Sequence, residues 1–343
     1  MKEIGTEEQE LQVIVALFFD GKTTIQNTIN TSHGEHDFRE AVFVQTESSE
    51  NFVIKLADND FTFPEKVQMW QRCSESYRSV GYYAPAILSS KTGDFPTVQY
   101  KGRTCVAYAE EFSKYACDND TGNGIASSKY RDEILIMTAK IANLYSDYAE
   151  YPSGYCLFEL FSPSDQHDEV MDNALTWKHY AEMLPAEFQT QVHRIWNLWY
   201  ENRCALQKIY HQLPTSVFQA DLNSSNILVD ENGNFIGVYD FNSSGKDVLL
   251  NYLIREIGWQ DDETELNIIK SAIDTVGKVY TFSALEKQAA PMLYRCIKPL
   301  WYTKIQRLKA AGDDQTAIQA CLDKTEIKTA KLIQFDFSSA ATF

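Results

Sequence analysis

Between Gln219 and Asn242 the chain places Asp221, Asn226 and Asp240 around two short apolar runs. An aspartate, an amide and a second aspartate in this order meet the needs of phosphoryl transfer, which requires a group to orient the acceptor hydroxyl and oxygen ligands for a divalent cation. In Q-A-D-L-N-S-S-N-I-L-V, Asp221 suits the first task and Asn226 offers a metal-facing amide. Mg2+ is a hard cation, bound through one or two carboxylates plus substrate phosphates, and Asp240 can be such a carboxylate. Taken singly these are ordinary turn and loop residues. The ordered set is what points to ATP-dependent phosphoryl transfer.

The elements around them fit that use. Ile227–Val229 and Phe235–Tyr239 are β-prone runs separated by Asp230-Glu231-Asn232-Gly233-Asn234, which contains an Asn-Gly turn signal. A hairpin brings its ends together, so Asn226 before the first strand and Asp240 after the second return to one place. Upstream, Arg39–Gln45 and Asn51–Leu56 read as two strands joined by a polar turn over residues 46–50. A helix is predicted from Phe63-Pro64 through Cys73, with proline suited to the first turn. Thr104–Phe112 reads as a last strand running into a linker, followed by a polar loop over residues 118–124. Helical stripes then dominate: Ile134, Leu135, Met137, Ile141, Leu144 and Tyr145; Val192, Ile195, Trp196, Trp199, Leu206, Ile209 and Tyr210; Met292, Leu293, Ile297, Leu300 and Trp301.

Protein kinases carry H-R-D-L-x-x-x-N followed by D-F-G. This chain has Asp221-Leu222 with Asn226, then Asp240-Phe241-Asn242. It most resembles the aminoglycoside phosphotransferase and choline kinase-like family of small-molecule kinases, whose loop reads close to H-G-D-L-x-x-x-N and whose metal motif is D-F without an obligatory glycine. Gln219 stands where that family usually has histidine, a loop organiser, and Ala220 where glycine often follows. The G-D-P-x-x-D-L segment of drug-modifying members is missing after Asp240; Lys246–Glu256 reads as a helix instead.

The resemblance implies an α+β, protein-kinase-like two-lobe fold: a small antiparallel-sheet nucleotide-binding lobe over residues 1–109 and a larger, mainly helical catalytic and acceptor-binding lobe over 110–343. It implies that Lys55 in V-I-K-L matches the V-A-I-K lysine that holds the ATP phosphates. Glu65 is the candidate for the ion pair that positions it, with Glu75 farther along the same helix as the alternative; spacing does not choose between them. Thr31–Phe38 takes the place of the phosphate-covering loop, with the Gly34 backbone and the Ser32 hydroxyl as its contacts, and adenine sits against the strand carrying Tyr108 and Glu110. Asp261, Asp262, Glu263 and Glu265 fall where such kinases build acceptor sites. The implied cofactors are ATP, with GTP also compatible, and Mg2+. The acceptor is a small-molecule hydroxyl on an amino alcohol, sugar or aminoglycoside. Gln219 and the glycine-poor loop also fit a catalytically silent, nucleotide-binding member of the fold.

Composition bounds the rest. The 343 residues are 44% hydrophobic and 13% aromatic, enough for a sizeable core. The 48 acidic against 31 basic residues give a net charge of -17, which disfavours nucleic-acid binding and suits a cationic acceptor, although acidic surfaces also serve solubility. The apolar stretch Leu11–Phe19 is too short to cross a bilayer and fits no signal peptide. Seven scattered cysteines without a C-x-x-C pair give no disulfide framework and point to a reducing cytoplasm.

Overall fold

Period-two alternation in the first half of the chain produces a sheet with two chemically different faces. In the computed structural model, which describes residues 4–118, 128–144, 147–159, 169–257, 264–330, 334–335 and 337, the chain opens with α1 (Ile4–Phe18), β1 (Thr23–Asn30), β2 (Phe38–Thr46) and β3 (Asn51–Asp58). Next come α2 (Pro64–Ser79), β4 (Ile87–Leu88), β5 (Thr97–Tyr100) and β6 (Arg103–Glu111). The strands pair antiparallel in the order β1-β2-β3-β6-β4, with β5 also on β6. Val42, Val44, Ile54, Leu56, Cys105, Ala107 and Ala109 fall on one face, and α1 covers them with Leu11, Ile14, Val15 and Phe18. Those four recur at helical spacing, so the apolar stretch near the N-terminus is a lid on the sheet. Among the described residues no helix is long and apolar enough to cross a membrane.

The opposite face turns toward the rest of the chain. Its registers place Ala41, Lys55 and Tyr108 in one cross-strand row, with Val53 and Glu110 in the next. Helix α2 begins at its proline as predicted and buries Val67, Trp70, Cys73 and Tyr77 in the same core as the helical part of the molecule.

After β7 (Ala116–Cys117) the chain is mainly helical: α3 (Arg131–Leu144), α4 (Glu169–Ala181) and α5 (Ala186–Tyr210) precede β8 (Thr215–Phe218), β9 (Ile227–Val229), β10 (Phe235–Val238) and β11 (Gly245–Val248). Helices α6 (Leu249–Ile257), α7 (Glu265–Gly277), α8 (Ala284–Ile297), α9 (Tyr302–Ala310) and α10 (Gln315–Ala330) follow. The predicted stripes are largely core: Ile134, Leu135, Met137 and Ile141 in α3, Val192, Ile195, Trp199, Leu206 and Tyr210 in α5, and Leu293 and Ile297 in α8 are buried. Leu144 is exposed instead, and Tyr145 lies outside the described residues, as do positions 119–124 of the predicted loop.

One element differs. Lys246–Val248 is not helical but belongs to β11, because the segment pairs with β8, from Gly245 opposite Phe218 to Val248 opposite Thr215. Asp247, the last but one residue of that strand, links it to the first turn of α6, its Oδ1 accepting from the Val248 N–H and from Asn251 Nδ2, both at 2.7 Å. A second join ties the sheet region to the β9–β10 hairpin. The Tyr83 N–H donates to Ile236 O and the Val238 N–H to Tyr83 O, each at 3.0 Å. The approach is so close that a Cβ on Gly237 would lie 1.8 Å from Tyr83 O.

Candidate active site

The loop leaving β8 carries the first two candidates. Its 3-10 turn, Ser224–Asn226, is capped by Asn223, whose Oδ1 accepts from the Ser225 N–H at 2.9 Å. Asn226 is buried and donates through Nδ2 to Asp221 O at 2.7 Å. Asn223 Nδ2 donates to the Asp221 carboxylate at 3.0 Å. Burial pushes the Asp221 carboxyl above its ordinary range; the Asn223 amide opposes this and the nearby Asp240 charge adds to it.

The hairpin closes as its sequence predicts. Gly233 has φ +76, and Asp230 Oδ1 accepts from the N–H groups of Asn232 and Asn234 at 2.9 and 2.8 Å. At the open end the Tyr239 N–H donates to Asn226 O at 3.1 Å, which brings Asp240 beside Asn226. Asp240 itself has φ +62, a left-handed conformation that costs a non-glycine residue about 1 kcal/mol and turns the chain sharply there.

Gln219 holds the two halves together. It is fully buried; its N–H donates to the Tyr77 hydroxyl, and its Oε1 accepts from the Asp221 N–H, each at 2.9 Å. Its Nε2 lies 3.0 Å from Asp221 O, 3.0 Å from Tyr239 O and 2.9 Å from Asp240 O. One uncharged side chain therefore ties the Asp221 loop to the Asp240 loop. Gln219 thus bonds both loops at the position where the sequence resemblance leads one to expect a loop organiser.

Hard oxygens remain for a cation. Among the described residues neither Asn226 Oδ1 nor the Asp240 carboxylate accepts a side-chain hydrogen bond, whereas Asn226 Nδ2 and the Asp221 carboxylate are engaged within the loop they share. A neutral amide oxygen and one carboxylate, completed by phosphate oxygens, form a donor set suited to Mg2+.

On the sheet face opposite α1, Lys55 feels the charge of Asp240. Its Nζ lies 2.8 Å from Glu110 Oε2 and 6.0 Å from the Tyr108 ring centroid. Burial would lower its pKa, but the carboxylates of Glu110 and Asp240 and the hydrogen bond to Glu110 hold it well above the usual lysine value. Tyr108 also takes the Trp70 ring edge-on at 5.9 Å, so α2 buttresses this row.

Several expectations are corrected. Glu65 is not the partner of Lys55: it is exposed, as is Glu75, and Glu110 occupies that position because β6 lies next to β3 in the sheet. The Ser32 hydroxyl is engaged within the hairpin, where Oγ accepts from the Arg39 N–H at 2.9 Å and donates to Arg39 O at 3.2 Å. Gly34 sits at the hairpin tip opposite Asp37, with open space where a Cβ would be, so packing does not require glycine there. Glu265 faces no amine ligand: it is buried, accepts from the Tyr294 hydroxyl at 2.8 Å and pairs with Lys328 at 3.2 Å, fastening the C-terminal helices. Asp261, Asp262 and Glu263 lie outside the described residues.

Two features were overlooked in the sequence. Asp247 at the end of β11 and Asn251 and Arg255 on α6 form a buried polar row, with Arg255 3.4 Å from Asp247 and its charge felt at Asp221. Their i, i+4, i+8 spacing was the available signal. On α2, Lys66 is buried and donates to Pro152 O at 2.6 Å.

A small antiparallel sheet facing a helical lobe across this site defines a protein-kinase-like two-lobe fold. Within that class the chain is similar to a microcompartment-associated aminopropanol kinase at 12% identity and TM-score 0.55, over 94% of this chain and 95% of that one. It is also similar to amicoumacin kinase hAmiN in complex with AMP-PNP, Ca2+ and Ami, at 13% identity and TM-score 0.52 over 98% of both chains. A third similar structure is an aminoglycoside phosphotransferase from Alicyclobacillus acidocaldarius, at 10% identity and TM-score 0.51 over 92% of this chain and 91% of that one. No protein-family model and no curated protein matches the sequence.

Proposed function

We propose that this chain is an ATP-dependent phosphotransferase that moves the γ-phosphoryl group to a hydroxyl of a small molecule, using residues 1–109 as the nucleotide-binding lobe and 110–343 as the catalytic and acceptor-binding lobe. The observation that carries this reading is the Gln219 staple, which ties the Asp221 loop to the Asp240 loop, with Asn226 bonded to Asp221 and the Asp240 charge felt at Lys55. Asn226 and Asp240 would hold Mg2+, whose bound charge neutralises phosphate oxygens. Lys55 would bind the nucleotide phosphates. Asp221 would accept a hydrogen bond from the acceptor hydroxyl, orient it toward the γ-phosphorus and take up its proton. The kinship in fold with aminopropanol, amicoumacin and aminoglycoside kinases supports a small, amine-bearing acceptor, and the net charge of -17 supports a cationic one.

The test begins with thermal shift in Mg-ATP and Mg-GTP. At about 100 times Kd a bound nucleotide stabilises the fold by about 2.7 kcal/mol. Asp240→Ala should abolish the Mg-dependent part of the shift. In an acceptor screen starting from amino alcohols, Asp221→Ala should lower turnover about 10²-fold or more with nucleotide affinity retained. Wild-type turnover in Asp221→Ala removes that residue from the mechanism, and a wild-type protein that shifts with neither nucleotide refutes the proposal.

A further inference from the structure

Resting on the phosphotransferase reading, we infer that Glu110 is the positioning residue for Lys55, so that the phosphate-binding ammonium is set by the sheet itself and not by helix α2. Three observations converge on this. First, the register pairs Val53 with Glu110 and Lys55 with Tyr108, which makes Glu110 the diagonal neighbour of Lys55 on the same sheet face. Their charged atoms are 2.8 Å apart, and Glu110 is 8% exposed. Second, the position is braced. Tyr108 lies between the pair and α2, with Lys55 toward its ring and Trp70 edge-on against it. Third, the charge of α2 is inverted relative to what a lysine partner requires: its buried charged residue is Lys66, while Glu65 and Glu75 are exposed.

Lys66 fastens the helix elsewhere, donating to Pro152 O at 2.6 Å, and Arg72 pairs with Glu150 in the same segment. Helix α2 is thus tied to residues 147–159 of the helical lobe, and Lys55 to its own sheet. An ammonium has three donors, so one can remain on Glu110 while others meet phosphate oxygens. The lysine needs no movement of α2 to reach its working position.

The experiment compares Glu110→Gln, which keeps shape and removes charge, with Glu110→Asp, which keeps charge. Affinity for Mg-AMP-PNP is measured by titration calorimetry, and acetylation of Lys55 by N-hydroxysuccinimide acetate is followed by peptide mass mapping without nucleotide. We expect Glu110→Gln to weaken nucleotide binding about tenfold, the scale of one charge-assisted hydrogen bond, to acetylate faster at Lys55, and to be partly rescued in Glu110→Asp. Added to Lys55→Met, Glu110→Gln should cost nothing further. Unchanged Lys55 acetylation in Glu110→Gln overturns the inference, as does an equal loss of binding in Glu65→Gln or Glu75→Gln. If the wild-type protein binds no Mg-AMP-PNP, the phosphotransferase reading falls and the phosphate-binding role goes with it, whereas the acetylation contrast reports the ion pair in either case.

Discussion

Replacing Gln219 by glutamate tests whether one buried amide organises the site, because the change swaps an NH2 for an oxygen in an otherwise equal shape. The lost nitrogen has three carbonyl oxygens within 3.0 Å, those of Asp221, Tyr239 and Asp240. A carboxylate there would face three acceptors in a fully buried position; a protonated carboxyl would supply one donor in place of two. Each buried acceptor left without a donor costs about 1–3 kcal/mol, so Gln219→Glu should destabilise the fold by about 2–4 kcal/mol. With an unfolding entropy of about 2.1 cal/mol/K per residue, that corresponds to a melting point lower by about 3–6 °C. The functional effect should be larger than the loss of stability suggests, since the same carbonyls fix Asp240 relative to Asn226. A displacement of about 1 Å can cost about 10²-fold in rate. Mg-AMP-PNP affinity should therefore fall at least about tenfold on the same argument. Gln219→His, able to offer one ring N–H to this cluster, should lie between. The assays are thermal melts and calorimetric titration at temperatures where both proteins are folded. A Gln219→Glu protein with wild-type melting and wild-type metal-nucleotide affinity would show that the amide does not hold the loops.

Gly237→Ala should destabilise by about 3 kcal/mol or more, the upper range for overpacking, because the new methyl would sit 1.8 Å from Tyr83 O in a hydrogen-bonded backbone contact; chemical denaturation with an unchanged midpoint would contradict this. Burial pulls Lys66 down to about 7, against the opposing influence of Cys156 and Cys73. Its folded value is below the unfolded one, so the cost of the buried charge is complete below about pH 7 and disappears as pH rises toward about 10.4. Wild type should therefore gain stability over Lys66→Met between these limits, and a pH-independent difference in melting point would refute it.

The parts of the site that were legible depend on local order. Asn226, the Asn232-Gly233 turn and Asp240 are close in sequence, and hairpin closure follows from β propensity and turn chemistry. The start of α2 was equally local, since Pro64 suits a first turn. The pairing of Lys55 with Glu110 was not legible because it depends on β6 pairing beside β3 after α2 and two further strands intervene, an order that helix-to-strand spacing does not encode. Lys246–Val248 failed for a related reason: a short polar-apolar run next to a helix reads as helix until Thr215–Phe218 arrives as its strand partner. That the Ser32 hydroxyl closes its own hairpin depends on the facing strand and not on its residue type.

The contact of Tyr83 with the β9–β10 hairpin bears on how the chain could be divided. Residues 112–115 form the covalent passage from the sheet toward β7, but Tyr83, Tyr77 and Lys66 cross between the same two bodies through hydrogen bonds, and the apolar face of α2 lies in the helical lobe's core. A peptide-bond cleavage in that passage would leave two polypeptides joined by a shared interior, with Gln219 in one and the tyrosine that receives its N–H in the other. Fragments divided there and co-expressed are expected to associate through that interior, and two fragments that separate on gel filtration would contradict this.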